Sequence, residues 1–101
     1  MRNIRIVWSD LARTDLRELR RRIAEDSPKR ARDYIRRPRE ATNRLRRFPE
    51  SGWIVEEINE PDIREIVYDM YRLIYRYRKV VEMLRVWPAA RPLDRDRLES
   101  D

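Results

Sequence analysis

Residues 63–91 read IREIVYDMYRLIYRYRKVVEMLRVWPAAR, three runs of β-branched and aromatic residues separated by tight polar breaks. Ile63 to Asp69 and Tyr71 to Tyr77 follow one another almost without a gap, and Arg78-Lys79 is a short link to Val80 to Trp87. Such residues suit a pleated, half-buried surface, and breaks this short leave room only for hairpin turns. The spacing predicts a three-strand antiparallel meander. Pro88 and Pro92 end it, because proline donates no ladder hydrogen bond.

Upstream, Trp53 to Ile58 follows the lone glycine, Gly52, and reads as a short strand at a sheet edge, with Asn59 to Asp62 as a turn around Pro61. At the start, Ile4, Ile6 and Trp8 alternate with Arg5 and Val7, the period of a half-buried strand whose partners lie elsewhere. Ser9 is placed to cap a helix. Ala12, Leu16, Leu19 and Ile23 then draw one apolar stripe over roughly Asp10 to Glu25, with Arg13, Arg17, Arg20 and Arg21 outside it. Ser27-Pro28 starts a second helix, whose stripe is Ala31, Tyr34, Ile35, Ala41, Leu45 and Phe48. Pro38 interrupts it at a cost of about 3 kcal/mol, which predicts a kink or break near Arg36 and Arg37. The short connection predicts an antiparallel helical hairpin. The fold class is therefore α+β, in the order β-α-α-β-β-β with room for one further strand: an antiparallel sheet with a helical hairpin on one face. The other face and an edge strand stay open, and the charged tail 92–101 reads as frayed, or helical only when bound.

A chain of 101 residues makes one domain, 1–101. It has neither cysteine nor histidine, which removes disulfides, thiolate metal sites, the usual neutral-pH base and the Ser-His and Cys-His pairs. No metal or cofactor is expected. Apolar runs stay far below the ~20 residues of a membrane span, so the composition predicts a soluble, unprocessed cytoplasmic protein with no membrane partner. Residues 1–48 carry 16 basic and 7 acidic side chains, and residues 49–101 carry 9 and 12. That asymmetry points to an anionic partner for the first half, nucleic acid or acidic protein. The competing reading is compositional, since 23 of 25 basic residues are arginine.

The element order, together with IVWSDLARTDLRELRRRIAEDSP (6–28), LRRFPESG (45–52), IREIVYDMYRLIYR (63–76) and VEMLRVWPAAR (81–91), resembles the RelE/ParE superfamily of type II toxins over about residues 4–93. The resemblance implies a plasmid-stabilisation type toxin, held in a hetero-oligomer by a cognate antitoxin whose C-terminal segment wraps it. Operator DNA would be contacted only through the antitoxin. The implied target is DNA gyrase for the ParE-like branch, or ribosome-bound mRNA for the RelE-like endoribonucleases.

In a RelE-like ribonuclease, Arg72 matches the arginine of the Tyr-Arg pair in the penultimate strand and Arg91 the one after the last strand. Glu65 is the plausible base nearby, and Tyr71 and Arg64 complete the phosphate- or target-binding set. The chain departs from that pattern: Ile63 and Glu65 stand where lysines are expected, Pro88 where many relatives have histidine, and the tail lacks the late tyrosine. Arginine stays protonated and cannot serve as a base. These departures favour the ParE-like branch, a gyrase inhibitor acting by binding, over the ribonuclease, with an inactive or interaction-only member as a third reading. Arg72 can also simply pair with Glu65 or Asp69, and the tyrosines can be cross-strand packing.

Overall fold

A computed structural model describes residues 3–100, the side chain of Ile35 excepted. Its elements are β1 (Ile6–Trp8), α1 (Asp10–Asp26), α2 (Pro28–Thr42), a 3-10 turn (Asn43–Arg46), β2 (Trp53–Ile54), β3 (Ile63–Tyr68), β4 (Tyr71–Tyr77), β5 (Val81–Pro88) and a second 3-10 turn (Arg95–Arg97). The fold is α+β: two helices and a five-stranded sheet in the order β1-β5-β4-β3-β2.

The meander is present as its sequence predicts. β3 and β4 pair antiparallel up to Tyr68 opposite Tyr71, leaving a two-residue turn. There Asp69 adopts φ 54°, a left-handed conformation that aspartate tolerates. One strand departs from the antiparallel expectation: β1 runs parallel to β5, with Ile6 beside Val81 and Trp8 beside Met83. The sheet is therefore mixed. An isolated strand carries no local signal of its direction, and here everything between Trp8 and Val81 serves as the crossover that a parallel pair requires.

Ser9 joins strand to helix. Its hydroxyl oxygen accepts from the Ala12 N–H at 3.0 Å, capping α1, while its O–H donates to the Leu84 carbonyl at 3.0 Å. Ser27 caps α2 in the same manner, accepting from the Arg30 N–H. The helix runs unbroken through Pro38, contrary to the predicted break. The proline ring is fully buried, and that apolar burial offsets the missing N–H. The turn of helix after it then tightens into the 3-10 turn.

One core lies between helices and sheet: Ala12, Leu16 and Leu19 of α1 meet Leu45, Ile66, Leu73, Tyr75, Val81, Met83 and Val86, with Tyr34 and Ala41 packed against them. Ile35 lies outside the described side chains. Phe48, expected on this stripe, is 56% exposed, because the 3-10 turn has changed the period before it. The second face is not open as expected. Val55, Ile58, Ile63, Ile74, Trp87, Leu93 and Leu98 form a second core there. Two corrections follow from it. The strand expected over 53–58 ends at Ile54 so that Val55 and Ile58 can turn inward, and the tail expected to fray instead packs, through Leu93 and Leu98. Arg76 to Glu99 at 2.7 Å and Arg95 to Glu60 at 2.6 Å fasten it. Residue 101 lies outside the described part.

Gly52 is required by close approach. A Cβ there would stand 2.6 Å from the Tyr75 Oη and 2.7 Å from the Glu65 carbonyl. Tyr75 accepts from the Gly52 N–H at 3.0 Å and donates to the Pro49 carbonyl at 2.7 Å, and burial raises its pKa above the usual phenol value. Gly52→Ala should therefore destabilise the chain by about 1–3 kcal/mol through overpacking. Chemical denaturation checks this, and an unchanged midpoint would show that the loop yields freely.

Candidate functional site

β5 has two different neighbours along one edge. β1 pairs only Val81 to Met83, and from Leu84 onward α1 lies beside the strand. A register shift helps: Met83 faces Tyr75 and Arg85 faces Ile74, so Leu84 is an extra residue and β5 changes face there. As a result Arg85 and Trp87 point to the far face while Val86 enters the helix-side core. The Val86 N–H, without a strand partner, donates to the Asp15 carboxylate at 2.9 Å. Arg85, only 4% exposed, donates to both Asp15 oxygens at 2.9 and 2.8 Å, and to the Arg97 carbonyl at 2.7 Å. Sequence reasoning did not find this pair. Seventy residues separate its members, and neither spacing nor composition marks them.

Arg72 lies opposite Trp87 on the same far face. Its guanidinium makes two double contacts, to Glu65 at 3.0 and 2.6 Å and to Glu57 at 2.7 and 2.8 Å. It is 12% exposed. Hydrogen bonds from Arg72 hold the Glu57 carboxyl below its usual range, and those to Glu57 and Glu65 raise the Arg72 pKa further. Glu65 is thus the counter-ion of Arg72, and Glu57 is a partner that sequence reasoning missed. Asp69, the other candidate for pairing with Arg72, accepts instead from the Tyr34 hydroxyl. Burial and that bond raise the Tyr34 pKa well above the usual phenol value.

The five candidate residues do not gather in one place. Arg64 and Tyr71 share the helix-side face with Ile66 and Leu73. Arg64 turns toward the chain before β2, donating to the Glu50 and Gly52 carbonyls. Arg72 and Glu65 occupy the far face. Arg91, exposed beyond β5, stacks over Trp87 with its guanidinium carbon 4.4 Å from the ring centroid, while the Trp87 indole N–H donates to the Arg91 carbonyl at 3.0 Å. Arg85 stacks over the same ring at 4.9 Å. Trp87 is therefore where the arginines meet: Arg72 beside it, Arg85 and Arg91 on its ring.

A groove of about 440 Å³ opens at this end of the sheet, between α1 and the ends of β4 and β5, and includes Tyr71, Trp87 and Arg91 with Glu18, Arg21 and Arg22 of α1. Arg21 is bound by Glu18 at 3.1 Å and Glu25 at 3.2 Å. Arg22 and Arg91 have no carboxylate partner among the described residues. The groove can hold an anion and an aromatic or apolar group against Trp87 and Tyr71. It contains no imidazole or thiol, and among the described residues no group of three acidic side chains can hold a metal.

A family described as "ParE toxin of type II toxin-antitoxin system, parDE" matches residues 6–93. A solved structure titled "Chromosomal ParDE TA system from P. aeruginosa" superposes with a TM-score of 0.71 at 17% identity, covering 84% of this chain and 95% of that one. No curated protein sequence matches. No helix among the described residues is long and apolar enough to cross a membrane.

The buried Asp15–Arg85 pair should matter far more than exposed pairs of the same chemistry. Asp15→Asn removes the carboxylate charge that faces the buried Arg85 guanidinium and should cost about 3 kcal/mol, lowering Tm by more than about 10 °C. Glu25→Gln, at an exposed pair, should cost under about 1 kcal/mol. Equal Tm shifts in the two variants would refute this ranking.

Proposed function

The chain belongs to the ParE family of type II toxins, and from that premise we propose that it arrests growth by binding DNA gyrase rather than by chemistry of its own, and that a cognate antitoxin neutralises it in a hetero-oligomer. The observation that supports binding over RNA cleavage is the double carboxylate clamp on Arg72. Cleavage through the 2′-hydroxyl needs a base, an acid and cations free to meet the phosphorane. In this chain the matching arginine is saturated by Glu57 and Glu65, the nearest carboxylate is its counter-ion, and the carboxylates that share the groove with Arg91, Asp15 and Glu18, are themselves paired with Arg85 and Arg21.

The antitoxin reading rests on the family and on the surface. The far face is largely filled by Val55, Ile58 and the chain's own tail, and the large apolar side chains that stay exposed include a group before and on the edge strand. Trp53 and Ile54 on the edge strand β2, with Phe48 before them, are exposed, and a two-residue edge strand leaves backbone donors and acceptors free for an added segment. The antitoxin segment covers this edge. Cytoplasmic residence and operator contact through the antitoxin belong to the same proposal.

The experiment is a supercoiling and cleavage assay with purified gyrase, plasmid DNA and the refolded full chain. Cleaved DNA complexes should accumulate as the chain is titrated in and disappear when the antitoxin is added. Undisturbed supercoiling at a large molar excess of folded chain would overturn the gyrase target.

A further inference from the structure

Residues 28–47 hold nine basic and two acidic side chains, a net +7, whereas the other eighty-one residues hold sixteen and seventeen, a net −1. The net positive charge of the protein is therefore confined to α2 and the 3-10 turn that continues it. All nine cations are exposed. Among the described residues one of them has a carboxylate partner, Arg36, with Glu40 at 3.5 Å. The meander and tail differ: Arg72, Arg76, Arg78, Arg85 and Arg95 are each paired with an acid. An arginine surplus arising from base composition would be scattered, and a salt-bridged surface would carry acids in step. Neither describes this segment. Like charges three and four residues apart also weaken a helix, so the segregation has a cost that an anionic partner would relieve.

The cations are also in line. Lys29, Arg32, Arg36 and Arg39 recur at three, four and three residues along one side of α2, a row about 15 Å long at the helical rise. Arg46 extends it, since Arg36, Arg39 and Arg46 line one hollow beside Ile6 and Trp8. Arg39 is stationed there by its guanidinium, 5.0 Å above the Trp8 ring.

We propose that this row binds the phosphate backbone of duplex DNA directly and without sequence preference. Other anionic partners require features that the row lacks. A protein interface needs apolar anchors at its centre, and among the described side chains the exposed large apolar ones, Phe48, Trp53, Ile54, Val67, Met70 and Val80, all lie outside residues 28–47. A membrane-surface helix needs an apolar face to insert, and in α2 that face is packed inward through Ala31, Tyr34 and Ala41. Single strands are held on aromatic platforms, and the one ring at the row, Trp8, is covered by Arg39. A bare line of guanidiniums matches what a duplex offers: closely spaced phosphates whose condensed counterions are released on binding. The proposal does not depend on gyrase.

Fluorescence anisotropy of the full chain with two labelled 20-bp duplexes of unrelated sequence, from 50 to 200 mM salt, tests it. Five phosphate contacts predict equal affinity for both duplexes and a slope of log K on log salt of about −4 to −5, a loss of several hundred-fold across that range. Arg32→Gln/Arg36→Gln/Arg39→Gln should reduce the slope by about three. The charge-matched Arg78→Gln/Lys79→Gln/Arg97→Gln should leave it unchanged, with circular dichroism showing both variants folded. Absence of duplex binding at 50 mM salt, or an equal loss in both triple variants, would overturn the proposal. So would tighter binding to poly-glutamate, or to phosphatidylserine vesicles, than to the duplex. A chain that binds duplex but leaves gyrase undisturbed would remove the gyrase reading and leave this one standing.

Discussion

A guanidinium taken out of water must be met by carboxylates or carbonyls, and two such requirements, at Arg85 and Arg72, organise the far side of this sheet. Arg85 is met by Asp15, which also takes the Val86 N–H, so one carboxylate holds α1 against the edge of β5 that β1 is too short to cover. The same guanidinium collects the Arg97 carbonyl, bringing the tail back across the sheet. Arg72 is met by Glu65 from the neighbouring strand and by Glu57 from the turn after β2. Reaching Glu57 draws residues 55–58 over the sheet, and with them Val55 and Ile58 into the second core. Removing one partner of such a pair costs several kcal/mol, most of it the penalty of the ion left behind.

The same ion pairs define what the surface can do. Around Trp87, two of three arginines are saturated within the chain, and Arg91 is the one left toward solvent without a carboxylate among the described residues. A site of that kind can grip an anion, and the carboxylates that line it, Asp15 and Glu18, are held by Arg85 and Arg21. Among the described residues, the other cations without a carboxylate partner include Arg22 on α1 and are densest on α2 and the turn after it, where only Arg36 is paired. The protein thus separates into a neutralised sheet, which carries the architecture, and a cationic helix, which carries the long-range field.

Much of the fold was legible because it is written in local periods. The meander followed from β-branched and aromatic runs with two-residue breaks, and both helix starts from Ser9 and Ser27 with their apolar stripes. What was not legible depends on long-range partners. The direction of β1 is fixed by β5, which lies beyond both helices and every other strand. Covering of the far face rests on Leu93 and Leu98, two apolar residues in a tail whose charge disguised them, and on Val55 and Ile58, read as strand because alternation does not reveal a turn. For the site, the sequence offered Glu65 as a partner for Arg72 but could not show Glu57 arriving on the opposite side. It placed Arg64, Tyr71, Arg72 and Arg91 in one set, whereas strand alternation divides them between faces. Arg85 was overlooked because its partner is on a helix and the bulge at Leu84 reverses the strand's face just before it.

With Arg72 saturated by two carboxylates, the proposed activity is binding rather than RNA cleavage. Ribosome-dependent mRNA cleavage, assayed by primer extension on translating ribosomes with the purified full chain, tests it most directly. The account predicts no cleavage above a no-toxin control, for the natural chain and for Arg91→Ala alike. Cleavage by the natural chain that disappears in Arg91→Ala would contradict it.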